Sequence, residues 1–175
     1  IRKPQRWDPR LCAQVQAVFV CRRPLSGCMM MAMRIHIAAD HAGFELKELL
    51  VAYLRNQDHQ VLDLGTHNTD RVDYPDFAHA VATAVEKGEC SFGILLCGSG
   101  NGVAITANKH QQIRAAMVWR EDISALSRQH NNANVICIPA RFITLEEAVN
   151  FVHVFLHTEF EGGRHATRVN KITQF

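Results

Sequence analysis

The segment from Phe92 to Lys109 most narrowly constrains what this chain can fold into. An apolar run, Phe92-Gly93-Ile94-Leu95-Leu96, leads into Cys97-Gly98-Ser99-Gly100-Asn101-Gly102, and Val103 to Lys109 can then wind into a helix. Strand, glycine-rich turn and helix, in that order, is how α/β proteins bring backbone N–H groups to an anion. The glycines let the main chain approach a ligand closely and adopt positive φ. A thiol at the strand end sits in the field of those N–H groups, which is expected to lower its pKa from about 8.5 and enrich the thiolate. The loop therefore reads as a reactive cysteine beside a cradle for a developing oxyanion.

Other glycine-loop chemistries can be tested against the letters. A P-loop needs Gly-Lys followed by Ser or Thr, and none is present. A cysteine phosphatase loop would need an arginine where Val103 stands. A dinucleotide fingerprint needs a third glycine at the position of Val103. Glu121 falls roughly where a ribose-binding acid would, so dinucleotide binding stays open at this level. Cys97 also has a plain reading as a small buried hydrophobe.

The same alternation recurs along the chain. Strands are expected at Ile35–Ala39, Gln60–Leu64, Phe92–Leu96, Arg114–Val118 and Val135–Ile138. Helices are expected at Phe44–Asn56, Asp76–Lys87 (with Asp76 as cap), Val103–Lys109, Arg120–Gln129, Leu145–His157 and Arg164–Ile172. Five strands alternating with helices over short connections imply an α/β fold. It is a Rossmann-like three-layer sandwich on a five-stranded parallel sheet with right-handed crossovers. Ligands of such sheets bind beyond the carboxyl ends of the strands. Asp40-His41, Cys97 and Arg141 all fall at such ends.

Composition narrows the function. At 47% hydrophobic and 21% charged, the chain is an ordinary globular one. The net charge of +2 is uneven: Arg2, Lys3, Arg6, Arg10, Arg22 and Arg23 face only Asp8 before residue 34. The remainder is mildly acidic, which argues against nucleic-acid binding. The six cysteines show no C-x-x-C spacing and read as free thiols of a reducing, cytoplasmic compartment. No apolar run approaches a membrane span. Residues 1–32, with Pro4, Pro9 and Pro24 and a methionine cluster at Met29–Met33, differ from the rest. They are expected to be a non-native or disordered extension, with the folded domain at 33–175.

Away from the loop, Asp40-His41 offers a carboxylate and an imidazole, or simply a capped turn. His130-Asn131-Asn132 follows a helix and could be only its cap. Arg164 and Arg168, four apart on one helix face and joined by His165, read as a phosphate clamp or as a solvated basic face. His153 and His157 share a face but lack a third ligand, so no metal site is expected there.

Six stretches carry a family resemblance. They are Ala39-Asp40-His41-Ala42-Gly43-Phe44, Asp73-Tyr74-Pro75, Cys97–Gly102, Ala107-Asn108-Lys109, Ser127-Arg128-Gln129-His130-Asn131 and Glu161-Gly162-Gly163-Arg164-His165. In this order and spacing the chain resembles the ribose-5-phosphate isomerase B family, of the superfamily that includes galactose-6-phosphate isomerase subunits, over about residues 33 to 173. The resemblance implies a cytoplasmic aldose–ketose isomerase without metal or organic cofactor, acting on ribose 5-phosphate and ribulose 5-phosphate. It implies Cys97 as the base that moves a proton between C2 and C1, and His130 as the ring-opening group with Asp40 beside it. Ser99 and the N–H groups of Gly98, Gly100, Asn101 and Gly102 would hold the enediolate oxygens. Asn131 and Tyr74 would touch the sugar, and His41, Arg141, Arg164 and Arg168 the phosphate. His130, Asn131 and Arg141 would serve the neighbouring subunit's site in a homodimer or a dimer of dimers. One branch of the family has Gly at the cysteine position and a glutamate base just after the loop; Val103 stands there here. Two further readings are a six-carbon isomerase (allose 6-phosphate or galactose 6-phosphate) and a non-catalytic sugar-phosphate- or nucleotide-binding module.

Overall fold

The computed structural model describes residues 32–174. The expectation for residues 1–32 falls, but for Ala32, outside the described residues. Eleven elements alternate. β1 (Arg34–Ala39), α1 (Phe44–Asn56), β2 (Gln60–Asp63), α2 (Tyr74–Glu86), β3 (Phe92–Cys97) and α3 (Asn101–Ala107) come first. β4 (Ala115–Met117), α4 (Glu121–Asn131), β5 (Val135–Pro139), α5 (Leu145–His157) and α6 (Arg164–Ile172) follow. The strands form one parallel sheet in the order β2-β1-β3-β5-β4. The order reverses between β1 and β3, so the crevice beyond their carboxyl ends is the switch point where such sheets take ligands.

Period-two alternation divides the core into two layers. Ile35, Ile37, Ile94, Leu96, Ile136 and Ile138 share one face with the buried side of α1 and α5, including Leu50, Leu54, Val152 and Phe155. Ala38, Leu95, Cys97, Val135 and Cys137 face α2 and α3 through Ala78, Val81, Val103 and Ala107. Helix α4 packs on α5, and α6 on α4. Three strands apolar on both faces are what a parallel sheet covered by helices requires. Among the described residues, no helix is long and apolar enough to cross a membrane.

Several expectations shift in detail. Helix α2 starts at Tyr74, with Asp73 as N-cap and Pro75 in the first turn, so Asp76 is a first-turn acid rather than the cap. Proline suits that turn because its missing N–H would be unpaired there anyway. His130 and Asn131 form the last turn of α4 rather than following it, and Asn132, at φ +46°, is the cap. Helix α1 buries Lys47 completely. Its ammonium reaches Asp63 at the end of β2 and Glu48 (2.7 Å), and lies 5.5 Å from the centre of the Phe44 ring. Nothing in the apolar spacing signals a lysine on the core side.

Candidate active site

The Cys97–Gly102 loop sits at the carboxyl end of the central strand, beside the switch point. Cys97 is 4% exposed and points to the α2/α3 side of the sheet. Its Sγ accepts the N–H of Gly100 at 3.2 Å. Gly100 adopts φ +75°, and a Cβ there would come within 3.2 Å of Pro139 N. Both the conformation and the space call for glycine. The first amide to fold back within α3 is that of Ala104, onto Gly100 O (3.2 Å). Ser99 and Asn101 are exposed at the mouth.

Three other chain segments close on this loop. The Asp40 N–H donates to Leu96 O (3.1 Å), which sets the end of β1 beside Cys97. The Asp40 carboxylate, 7% exposed, accepts the N–H groups of Ala42 (2.9 Å) and Gly43 (3.1 Å) on one oxygen, so the turn-capping role is real. His41 keeps Nδ1 buried without a hydrogen-bond partner. Tyr74 lies against Gly102, where a Cβ would come 2.6 Å from its Cζ. After β5, Ala140 N–H donates to Cys97 O (3.0 Å) and Arg141 N–H to Gly98 O (3.2 Å). The Arg141 side chain rests on Gly98. Arg141 thus lies on its own chain's Cys97 loop, whereas the resemblance implies a role for it in the neighbouring subunit's site. The short turn after β5 is held to the Cys97 loop by these two backbone hydrogen bonds.

The remaining predicted residues gather at the other end of the molecule. Helix α4 runs antiparallel to the strands, so its last turn lies beneath their amino ends. Arg128 fixes this: its guanidinium sits 4.9 Å from the ring centre of Phe92, the first residue of β3. It also donates to Ala133 O (2.6 Å) and Thr158 O (3.2 Å). Cys97 is the last residue of the same six-residue strand, roughly 17 Å away at about 3.3 Å per residue. At the lower end, the Glu161 N–H donates to Gln129 O (3.1 Å). The His165 ring stacks on that of His130, with centroids 4.2 Å apart and planes 3° from parallel. His165 is buried, and Arg164 Nε donates to its Nε2 at 3.4 Å. Burial, and then the nearby His130, Arg164 and Arg168, hold its pKa below the ordinary histidine value. Arg164 and Arg168 are exposed.

One chain therefore holds two groups of predicted residues. Asp40, His41, Tyr74, Cys97–Gly102 and Arg141 meet at the strand carboxyl ends. His130, Asn131, Arg164 and Arg168 meet at the amino ends, where Glu161 and Arg128 join them. In the sequence Glu161 marks only a helix break and Arg128 carries no assigned role, although both lie in the stretches that carry the family resemblance. Among the described residues, potential ligand atoms of His130, Glu161 and His165 lie within 4.8 Å of one another. Two imidazoles in parallel planes direct their lone pairs side by side, whereas a shared metal ion needs them to converge.

Comparison with known proteins bears on both groups. The Ribose/Galactose Isomerase family profile matches residues 35–172. A probable ribose-5-phosphate isomerase B of Mycoplasma pneumoniae is 46% identical over 148 residues, covering 84% of this chain and 97% of that protein. The ribose-5-phosphate isomerase B of Escherichia coli is 44% identical over 140 residues, covering 80% and 94%. A ribose 5-phosphate isomerase crystal structure from Thermotoga maritima superposes with a TM-score of 0.82 at 46% identity, covering 83% of this chain and all of that one. The Mycoplasma genitalium ribose-5-phosphate isomerase B, solved with bound ribulose-5-phosphate, gives 0.79 at 45% identity, covering 82% and 96%. The matched span takes in the Cys97 loop, the stacked histidines and all five strands, and the chain belongs to the ribose/galactose isomerase family.

Proposed function

We propose that this chain interconverts ribose 5-phosphate and ribulose 5-phosphate through an enediolate. The observation that carries the reading is the Gly100 N–H held on Cys97 Sγ at 3.2 Å, at the head of a loop in the switch-point crevice. Cys97 takes the proton from C2 of the open-chain aldose and returns it to C1. A proton α to a carbonyl leaves only as charge builds on oxygen, so donors preorganised around that oxygen matter most. Ser99 and the loop amides supply them. The exchange moves protons within one molecule and is redox-neutral, so the balance requires no cofactor.

The two groups of residues make one site only across two chains. His130 and Asn131, with Arg164 and Arg168, come from a second copy and meet the first copy's Cys97 loop, Asp40, His41, Tyr74 and Arg141. His130 then opens the furanose ring beside Asp40. His41, Arg141, Arg164 and Arg168 hold the phosphate, whose remote binding energy serves orientation. The separation of Cys97 from His130 along β3 supports this arrangement, because such an active site calls for the two together. The relative solved with ribulose-5-phosphate supports the substrate class.

The family description also names galactose, which favours a second reading, a six-carbon sugar phosphate. Parallel coupled assays with ribose 5-phosphate, allose 6-phosphate and galactose 6-phosphate test both. Ribose 5-phosphate is expected to turn over fastest. Tight binding of these sugars with no turnover of any would overturn the enzyme reading in favour of a binding module.

A further inference from the structure

We infer that Glu161 is the positioning residue for His130: its carboxylate takes the imidazole Nε2–H and leaves the Nδ1 lone pair for the sugar. The inference rests on the ring-opening role proposed above.

Glu161 Oε2 lies 3.8 Å from His130 Nε2 and 3.7 Å from His165 Nε2. This is ion-pair reach, and both Glu161 and His130 are exposed enough (51% and 37% by side chain) for a small rotation to close the hydrogen bond. The two histidines are not equivalent partners. Arg164 Nε already donates to His165 Nε2 at 3.4 Å, so that nitrogen is an acceptor and cannot also offer a proton to the carboxylate. His130 Nε2 is the ring N–H left for Glu161. The groups that face His130 are Glu161 from the connecting loop and His165 from α6, with Arg164 and Arg168 behind His165. Only Glu161 among them is negative.

Backbone contacts hold the carboxylate in register. The Glu161 amide is bonded to Gln129 O (3.1 Å), the residue before His130, and the His165 amide to Gly162 O (3.0 Å). The parallel stack at 4.2 Å fixes the plane of the His130 ring. A base oriented by a carboxylate on its far nitrogen is the usual way to select one imidazole tautomer. In ring opening, His130 Nδ1 accepts the proton of the O1 hydroxyl. The C1–O4 bond breaks with its electron pair going to O4, the imidazolium passes the proton to O4, and C1 becomes the aldehyde. Glu161 stabilises the imidazolium between the two transfers.

The test uses the full chain and Glu161→Gln, which keeps shape and loses charge. Ring ¹⁵N NMR of His130 is expected to show the Nε2–H tautomer in the unsubstituted chain and a weaker preference for it in the variant. With ribose 5-phosphate, kcat is expected to fall about 10-fold or more while KM changes little, within the roughly 10²–10⁴ that a positioned acid–base group contributes. Glu161→Asp should recover part of kcat. An unchanged tautomer preference in the variant, an Nδ1–H tautomer in the unsubstituted chain, or a kcat within twofold would each overturn the assignment. Absence of turnover by the unsubstituted chain would instead defeat the isomerase reading, and the NMR tautomer measurement would still decide the Glu161–His130 pairing.

Discussion

The Arg141 guanidinium rests directly on Gly98: a Cβ built at residue 98 would lie 3.1 Å from Nε and 3.2 Å from Cζ. The backbone reinforces this, since Arg141 N–H donates to Gly98 O. Gly98→Ala should therefore fold normally, because the end of a flexible side chain is what must give way. It should misplace the cation proposed to hold the phosphate relative to the loop. Misplacement of a positioned group by about 1 Å can cost about 10²-fold, so a shift of a few tenths should raise KM for ribose 5-phosphate severalfold. Steady-state kinetics on Gly98→Ala checks it, and a KM equal to that of the unsubstituted chain would remove Arg141 from the clamp.

Cys97→Ala should abolish isomerisation and leave the fold in place. Val103 stands where one branch of the family carries its glutamate, so that position supplies no second base. The expected fall is at least about 10²–10⁴, the range for a positioned base. The Gly100 amide loses its acceptor, which should lower stability by about 1–3 kcal/mol. Thermal unfolding and a coupled assay on the same sample measure both. Near-normal turnover would refute the base assignment.

If His130 and Cys97 of different chains make each site, two dead variants should rescue each other. Mixed after unfolding and refolding, Cys97→Ala and His130→Ala chains should recover about a quarter of full activity. Half the dimers of a random mixture are mixed, and one of the two isologous sites in each is intact. A mixture as silent as its parents would mean that one chain supplies both residues.

Arg168→Ala should act mainly on KM for phosphorylated sugars. Arg168 is exposed in the middle of α6, one turn from Arg164, and it has no core to support. A fold-neutral variant with unchanged KM would take it out of phosphate binding.

Acid should destabilise the chain through three histidines. Burial is the largest cause that holds His36, His59 and His165 below the ordinary value of 6.5. The unfolded chain then takes up protons at a higher pH than the folded one. Stability is therefore fully present above about pH 6.5 and declines as pH falls below it, through the depressed folded values. Melting temperatures at pH 7.5 and 5.5 should show the drop. His36→Leu, which removes one of these groups together with its unpartnered Nδ1, should make the drop smaller. A slope unchanged in His36→Leu would exclude His36 as a contributor.

The sheet was legible because β3 and β5 announce themselves by a short apolar run between a helix stop and a loop. The least certain boundaries were those where a local signal competed. Asp76 looks like a cap, but Asp73 precedes Pro75 and starts the helix first. Lys47 was invisible because helical periodicity counts apolar letters, while its burial depends on Asp63, sixteen residues away on β2. The Cys97 loop could be read because three glycines over five residues have few other uses. Which predicted residues share an end of the sheet could not, since that follows from the direction of α4 and not from any motif. Glu161 was hidden for the same reason: its relation to His130 arises only where α6 folds back on α4.

The antiparallel course of α4 has a consequence for how activity depends on amount. On the proposed two-chain site, a solitary chain carries both halves of the machinery, about the length of a strand apart and unable to meet. Output per milligram should then fall on dilution below the pairing constant and return on concentration, with no inhibitor and no change in the chain itself.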